Sequence, residues 1–403
     1  MSIRVNSEIA PVHEPLEPLP YHQKIVDYFK AEEGELWKWF TSAEAQTGHA
    51  ELLRLELLKQ TYRLEPGEHP ELYGWASEAC RNLGLSIPVT LYQATQSREL
   101  NAALLHLPGE AHVVLSGPLL TLLGPMEMQS VLGHELAHYH LWNRDGGEFL
   151  IADQLLGSLD PLASASHSQT ARRYQLYTEI FADRGALQST GDLNATVAAL
   201  VKVHTGLASA SGASYLRQAD EIFEGSETRS EGTSHPEAFI RARALRLWAE
   251  RDPEMESKIV AMIEGEPRLE ELDLPTQTRL SALTRRLIEQ LLRPAWFQTP
   301  LTLGHARLFY PDFKPASQDD PDLAKLLESR DAKLNEYLGF VLLDFAVIDP
   351  ELEDLPLAAA IEWSRRIGIG ELFDKLASKE LKLKARDFNK LKKEAAGMLL
   401  DAK

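Results

Sequence analysis

His134-Glu135-Leu136-Ala137-His138 is the stretch from which the rest of this chain can be read. Met128, Val131, Leu132, Leu136 and Leu141 recur around it at helical spacings and predict an amphipathic helix, with Pro125 suited to its first turn. On a helix, side chains four apart lie on one face, a turn above each other, so His134 and His138 can reach a single ion with Glu135 beside it. Two imidazoles are half of a catalytic zinc site, because zinc in hydrolases takes three protein ligands and keeps a fourth position for water. The third donor must come from elsewhere. Tyr177-Thr178-Glu179-Ile180-Phe181-Ala182-Asp183 also reads as a helix and offers Glu179, with Asp183 one turn later to hydrogen-bond the free ring nitrogen of a ligand histidine. His140, two residues from His138, points to another side of the helix and is left out of the site.

The composition narrows the partners. The 403 residues carry a formal charge of −18, which argues against nucleic acid, since phosphate binding needs a basic surface. A 44% apolar content supports real cores, and the length suggests two or three compact units. Cys80 is the single cysteine, so no internal disulfide can form. Residues 1–20 are polar and proline-rich, unlike a signal peptide, and read as an extended arm on the surface or loose in solvent. No apolar run reaches the roughly 18 residues that a membrane span requires, so the expectation is a cytoplasmic protein.

In chain order, Tyr21 to about Arg63 carries aromatic and leucine residues at helical spacings, and a further helix runs from His69 to Leu83. Pro88 to Tyr92, Asn101 to Leu107 and Ala111 to Ser116 read as strands, the last two joined by a tight turn at Pro108-Gly109. A hairpin therefore stands directly before the metal helix, and a strand there offers an edge along which an extended peptide can hydrogen-bond. Gly146 to Ser168 suggests a helix and loop covering the site, and Thr170 to Ser189 is the second metal helix. Gly225 to Ser234, rich in Gly, Ser, Thr and Glu, reads as a mobile loop that ends in Ser234-His235-Pro236 before a helix with Arg241. Beyond Asp252 no metal-ligand spacing recurs, and the pattern is helical. The lysine run from Lys379 to Lys393 reads as a solvated helix face.

From about Glu71 to Leu247 the sequence resembles the HtpX and CAAX-prenyl-protease type of zinc metallopeptidase, a gluzincin family. The carriers are Asn101-Ala102, Gly133-His134-Glu135-Leu136-Ala137-His138, Glu179-Ile180-Phe181-Ala182-Asp183, and His235-Pro236 followed by Arg241. The resemblance implies one Zn²⁺ per chain held by His134, His138 and Glu179, with Glu135 as general base. It further implies that His235 contacts the reacting centre and that Asn101 lies on a substrate-facing strand. Many members of that family are integral membrane proteins; this chain lacks a spanning segment, so their membrane substrates are not carried over. From Asn335 onward the sequence also resembles the all-helical tellurite-resistance TerB-like module, over about 335–400.

The expected fold class is α+β: a mainly helical, zincin-like catalytic domain (69–250) with a small sheet, flanked by N-terminal helices (1–68) and an all-α C-terminal region (251–403). The expected function is that of a zinc metalloendopeptidase acting on polypeptide substrates. The alternative is a regulatory adaptor with a structural zinc site and a partner-binding helical C-terminal region.

Overall fold

The computed structural model describes residues 15–42, 50–95, 99–158, 164–226, 228–266, 268–327 and 332–402. Most of residues 1–20, read above as an arm, lies outside them. Contacts divide the chain into two units, one ending at Glu266 and one following it.

The first unit opens with helix α1 (Pro20–Glu32), started by Pro20 and by the Leu19 N–H, which donates to His22 Nδ1 at 3.2 Å. Just before it, Leu16 and Leu19 are 1% and 7% exposed, so this end of the arm is core rather than surface. Two apolar side chains among prolines gain more from burial than the turn-rich composition suggests. Helices α2 (Gly34–Thr41) and α3 (Ala50–Gln60) follow. The chain then forms a short strand, β1 (Thr61–Arg63), where the sequence pattern continued the helix. Three residues carry too little periodicity to announce a strand, and β1 exists because it pairs antiparallel with β2.

After α4 (Pro70–Asn82) come β2 (Val89–Ala94), β3 (Asn101–Leu107) and β4 (Glu110–Ser116). The sheet order is β1-β2-β4-β3, with β2 parallel to β4 and the β3–β4 hairpin antiparallel. Gly109, at φ +82°, makes the hairpin turn in a conformation that favours glycine. Leu91, Ala111, Val113 and Leu115 are fully buried on the sheet, and β3 is an edge strand.

A short α5 (Leu119–Leu122) leads to α6 (Pro125–Asn143), which carries the His-Glu-x-x-His pattern. Its start is capped by Glu127 Oε2, which accepts from the Gly124 N–H at 2.7 Å. Helices α7 (Glu148–Ser158) and α8 (Ala165–Thr190) follow, and α8 carries Glu179. Helices α6 and α8 run antiparallel and very close together. A Cβ on Gly133 would lie 2.0 Å from Ser189 Oγ, and one on Gly185 would lie 2.3 Å from the Ala137 Cβ. Both glycines are needed for this approach, which puts the two metal-motif faces against each other.

Helix α1 is tied to α8 by a buried relay. With His22 Nδ1 accepting from Leu19, its Nε2–H donates to Thr178 Oγ1 at 3.2 Å, and that hydroxyl donates to Tyr174 O at 2.9 Å. The unit closes with α9 (Leu193–Thr205), α10 (Gly212–Gly225), α11 (Ala238–Ala249) and α12 (Met255–Glu264).

The second unit is helical throughout its described residues: α13 (Leu274–Leu291), α14 (Pro300–Phe309), α15 (Leu323–Leu327), α16 (Ala332–Val347), α17 (Leu355–Arg366), α18 (Gly370–Glu380) and α19 (Ala385–Asp401). It has its own core, including Leu287, Phe297, Leu342, Phe345, Ile361 and Phe373. The fold class is therefore α+β, mainly helical with one small sheet. Among the described residues no helix is long and apolar enough to cross a membrane.

Candidate metal centre

The α6–α8 crossing brings together donors that are 41 to 45 positions apart in sequence. His138 Nε2 lies 3.3 Å from His134 Nε2, Glu179 Oε2 lies 3.3 Å from His134 Nε2, and Glu179 Oε1 lies 3.5 Å from His138 Nε2. Bonds of about 2.0–2.1 Å to a tetrahedral zinc would set donors about 3.3 Å apart, so the spacing fits such an ion. Two Nε2 atoms converging on one point also make poor mutual hydrogen-bond partners, and Glu179 Oε2 is buried with no hydrogen bond. Among the described residues, His134, His138 and Glu179 are the group that could hold a metal ion.

The surroundings favour a cation. Burial alone would depress His134, but Asp183 and Glu179 outweigh it and hold the imidazole up to about 10. Burial would likewise raise Glu179, yet the neighbouring histidines and Arg241 keep its carboxyl below the usual range. Burial, the largest influence, pushes His138 down to about 4. Its ring stacks on Trp142, with centroids 5.5 Å apart.

Asp183 is reached from two sides. It faces His134 Nδ1 at 3.1 Å and accepts two hydrogen bonds from Arg241, Nε to Oδ2 at 2.7 Å and Nη2 to Oδ1 at 2.6 Å. Burial works against its charge, and Arg241 overcomes this, keeping Asp183 ionised. The sequence motif contained Arg241 but gave no hint of this bidentate clamp, because the partners lie on helices far apart in the chain.

Glu135 is 6% exposed, and burial is the largest reason that its carboxyl rises to about 7. It takes a backbone hydrogen bond from Leu104, in edge strand β3. Asn101 stands exposed at the first position of that strand, three residues before Leu104. His235 comes to the opposite carboxylate: its Nε2 is 3.6 Å from Glu179 Oε1, and its side chain is 60% exposed. Ser234 Oγ lies 2.9 Å from the other ring nitrogen. The residues singled out in sequence thus gather in one place, except Asn101, which sits further along β3. His140 turns away and meets Leu16 O at 3.2 Å.

These features define a class: an α+β protein in which two crossed helices build a His-His-Glu cage with a buried carboxyl and an open histidine at its rim. Residues 68–158, which include strands β2 to β4 and helix α6 with its two histidines, match the model of peptidase family M48. The match ends before Glu179, Asp183, His235 and Arg241, which join the site through the fold. No curated protein and no solved structure matches the chain.

Proposed function

We propose that this chain is a zinc-dependent endopeptidase that hydrolyses peptide bonds of polypeptide substrates. The observation that carries the proposal is the cage itself: three donors at ligand-like separations with the Glu135 carboxyl alongside. His134, His138 and Glu179 would hold the ion, and Asp183 would orient the His134 ring through Nδ1. When bound, zinc supplies a Lewis acid that polarises a carbonyl and makes water a better nucleophile near neutral pH.

The chain's own groups do the rest. Glu135, poised near neutrality by burial, takes the proton from the attacking water and returns it to the leaving amine. His235, exposed at the rim, donates a hydrogen bond to the oxygen on which negative charge develops. Strand β3 stands at the edge of the sheet, with β4 as its only sheet neighbour among the described residues, and begins at Asn101, which supports an extended peptide lying along it.

The test is cleavage of unfolded casein with zinc content measured on the same samples. Glu135→Gln should keep its zinc and lose about 10² to 10⁴ in rate, the usual contribution of a general base. Undiminished cleavage would remove Glu135 from this role. A second reading draws on the separately cored helical unit after Glu266: an adaptor in which zinc is structural and that unit binds a partner. Bound zinc without cleavage by the wild-type chain would favour it.

A further inference from the structure

The composition of the stretch before His235 suggests a free loop, yet its backbone is fastened at several points. Arg172 donates from Nε to Gly232 O and from Nη2 to Ser230 O, both at 2.7 Å. The Ser230 N–H donates to Met262 O at 2.7 Å, and the Glu231 N–H donates to Glu237 Oε1 at 2.9 Å. Ser230 is 1% exposed, and its Oγ accepts from the Gly232 N–H at 3.3 Å. A Cβ at Gly232 would stand 1.9 Å from His235 O, so the loop folds back too tightly for any side chain there.

The anchor is on the helix that also carries the acidic donor. Arg172 and Glu179 are two turns apart on one face of α8, about 10.5 Å along its axis. The chain meets Arg172 at Ser230 and Gly232 and meets Glu179 at His235, so one rigid helix measures out both ends of the loop.

We propose that Arg172 is a positioning residue for peptide hydrolysis: by clamping the Ser230 and Gly232 carbonyls it sets where His235 meets the substrate. The proposal rests on the role given to His235 above. Nε and Nη2 share one edge of the planar guanidinium and reach both carbonyls as a fixed fork, which an ammonium cannot imitate. Displacing a catalytic group by about 1 Å can cost about 10²-fold in rate, so a loosened loop should be costly even with His235 intact.

The experiment measures kcat, KM, zinc content and amide hydrogen exchange of the full chain for Arg172→Ala, Arg172→Lys, Gly232→Ala, His235→Ala and the Arg172→Ala/His235→Ala double variant. Arg172→Ala should lower kcat by about 10- to 100-fold while KM and zinc content stay within about twofold. Loop amides around Ser230 to His235 should exchange faster, Arg172→Lys should restore only part of the rate, and the double variant should be no slower than His235→Ala. Unchanged kcat or unchanged loop exchange in Arg172→Ala overturns the proposal. So does a loss that persists in full without His235, which would make Arg172 merely structural. Should Arg172→Ala not fold, Arg172→Lys carries the same comparison, and a Lys variant with wild-type kcat and loop exchange overturns the proposal. If His235→Ala keeps wild-type kcat, the role of His235 itself falls and takes this proposal with it. If only Arg172→Ala keeps it, the present proposal alone fails.

Discussion

Asp183 answers two demands at once, fixing the His134 ring and neutralising the buried Arg241 guanidinium. Asp183→Asn keeps the shape but weakens the acceptor, and should reduce zinc affinity about 10- to 100-fold, read by chelator competition. Unaltered affinity would show that His134 needs no orienting partner. His22 gives a pH dependence of a different origin. Burial, the largest cause, holds its folded pKa down to about 3 against about 6.5 unfolded, so the neutral form is the stabilising one. Its contribution is fully present above about pH 6.5 and is lost as pH falls toward 3, on the order of a few kcal/mol in all. Urea unfolding across that window should show a shallower pH slope for His22→Gln than for wild type; equal slopes would remove His22 as the cause.

At the scale of elements, the site depends on how closely α6 and α8 approach, and Gly133 and Gly185 permit that approach. Gly185→Ala should cost about 1–3 kcal/mol of stability by overpacking and should weaken zinc binding, since the donors would be pushed apart. Thermal unfolding and zinc titration check this; a variant wild-type in both would disconnect the crossing from the cage. Helix α6 was legible from Met128, Val131, Leu132 and Leu136 at helical spacings, and α8 from Glu179 and Asp183 one turn apart once a third ligand was sought. What escaped was decided by pairing between distant segments. Strand β1 is three residues long and exists through β2, Leu16 is buried among helices that its own prolines do not announce, and the loop before His235 is held by an arginine some sixty positions away. Composition reports what a segment can do alone, and these segments are not alone.

On the scale of the whole molecule, the two units have separate cores, and the cage belongs to the first. A ligand that binds only the folded state stabilises the part that holds it. Calorimetry with and without a zinc chelator should therefore show one transition moving by several degrees and a second staying fixed; transitions that move together would contradict independent units. The four central site residues were legible because local spacing poses the question of a third ligand. The Arg241 clamp on Asp183, Arg172 and the Leu104 backbone were not, since each acts through a tertiary contact that no spacing encodes. The −18 charge argues against a nucleic-acid partner but says nothing about the identity of a polypeptide substrate.

The central claim is that Glu179 joins His134 and His138 as the third ligand of one ion. Zinc content by mass spectrometry, paired with X-ray absorption on the wild-type chain and Glu179→Ala, tests it most directly. The wild-type chain should hold one zinc through two imidazole nitrogens and a carboxylate oxygen, and the variant should have lost most of its zinc. A Glu179→Ala chain that stays folded and holds zinc with wild-type affinity and an unchanged absorption spectrum would contradict it.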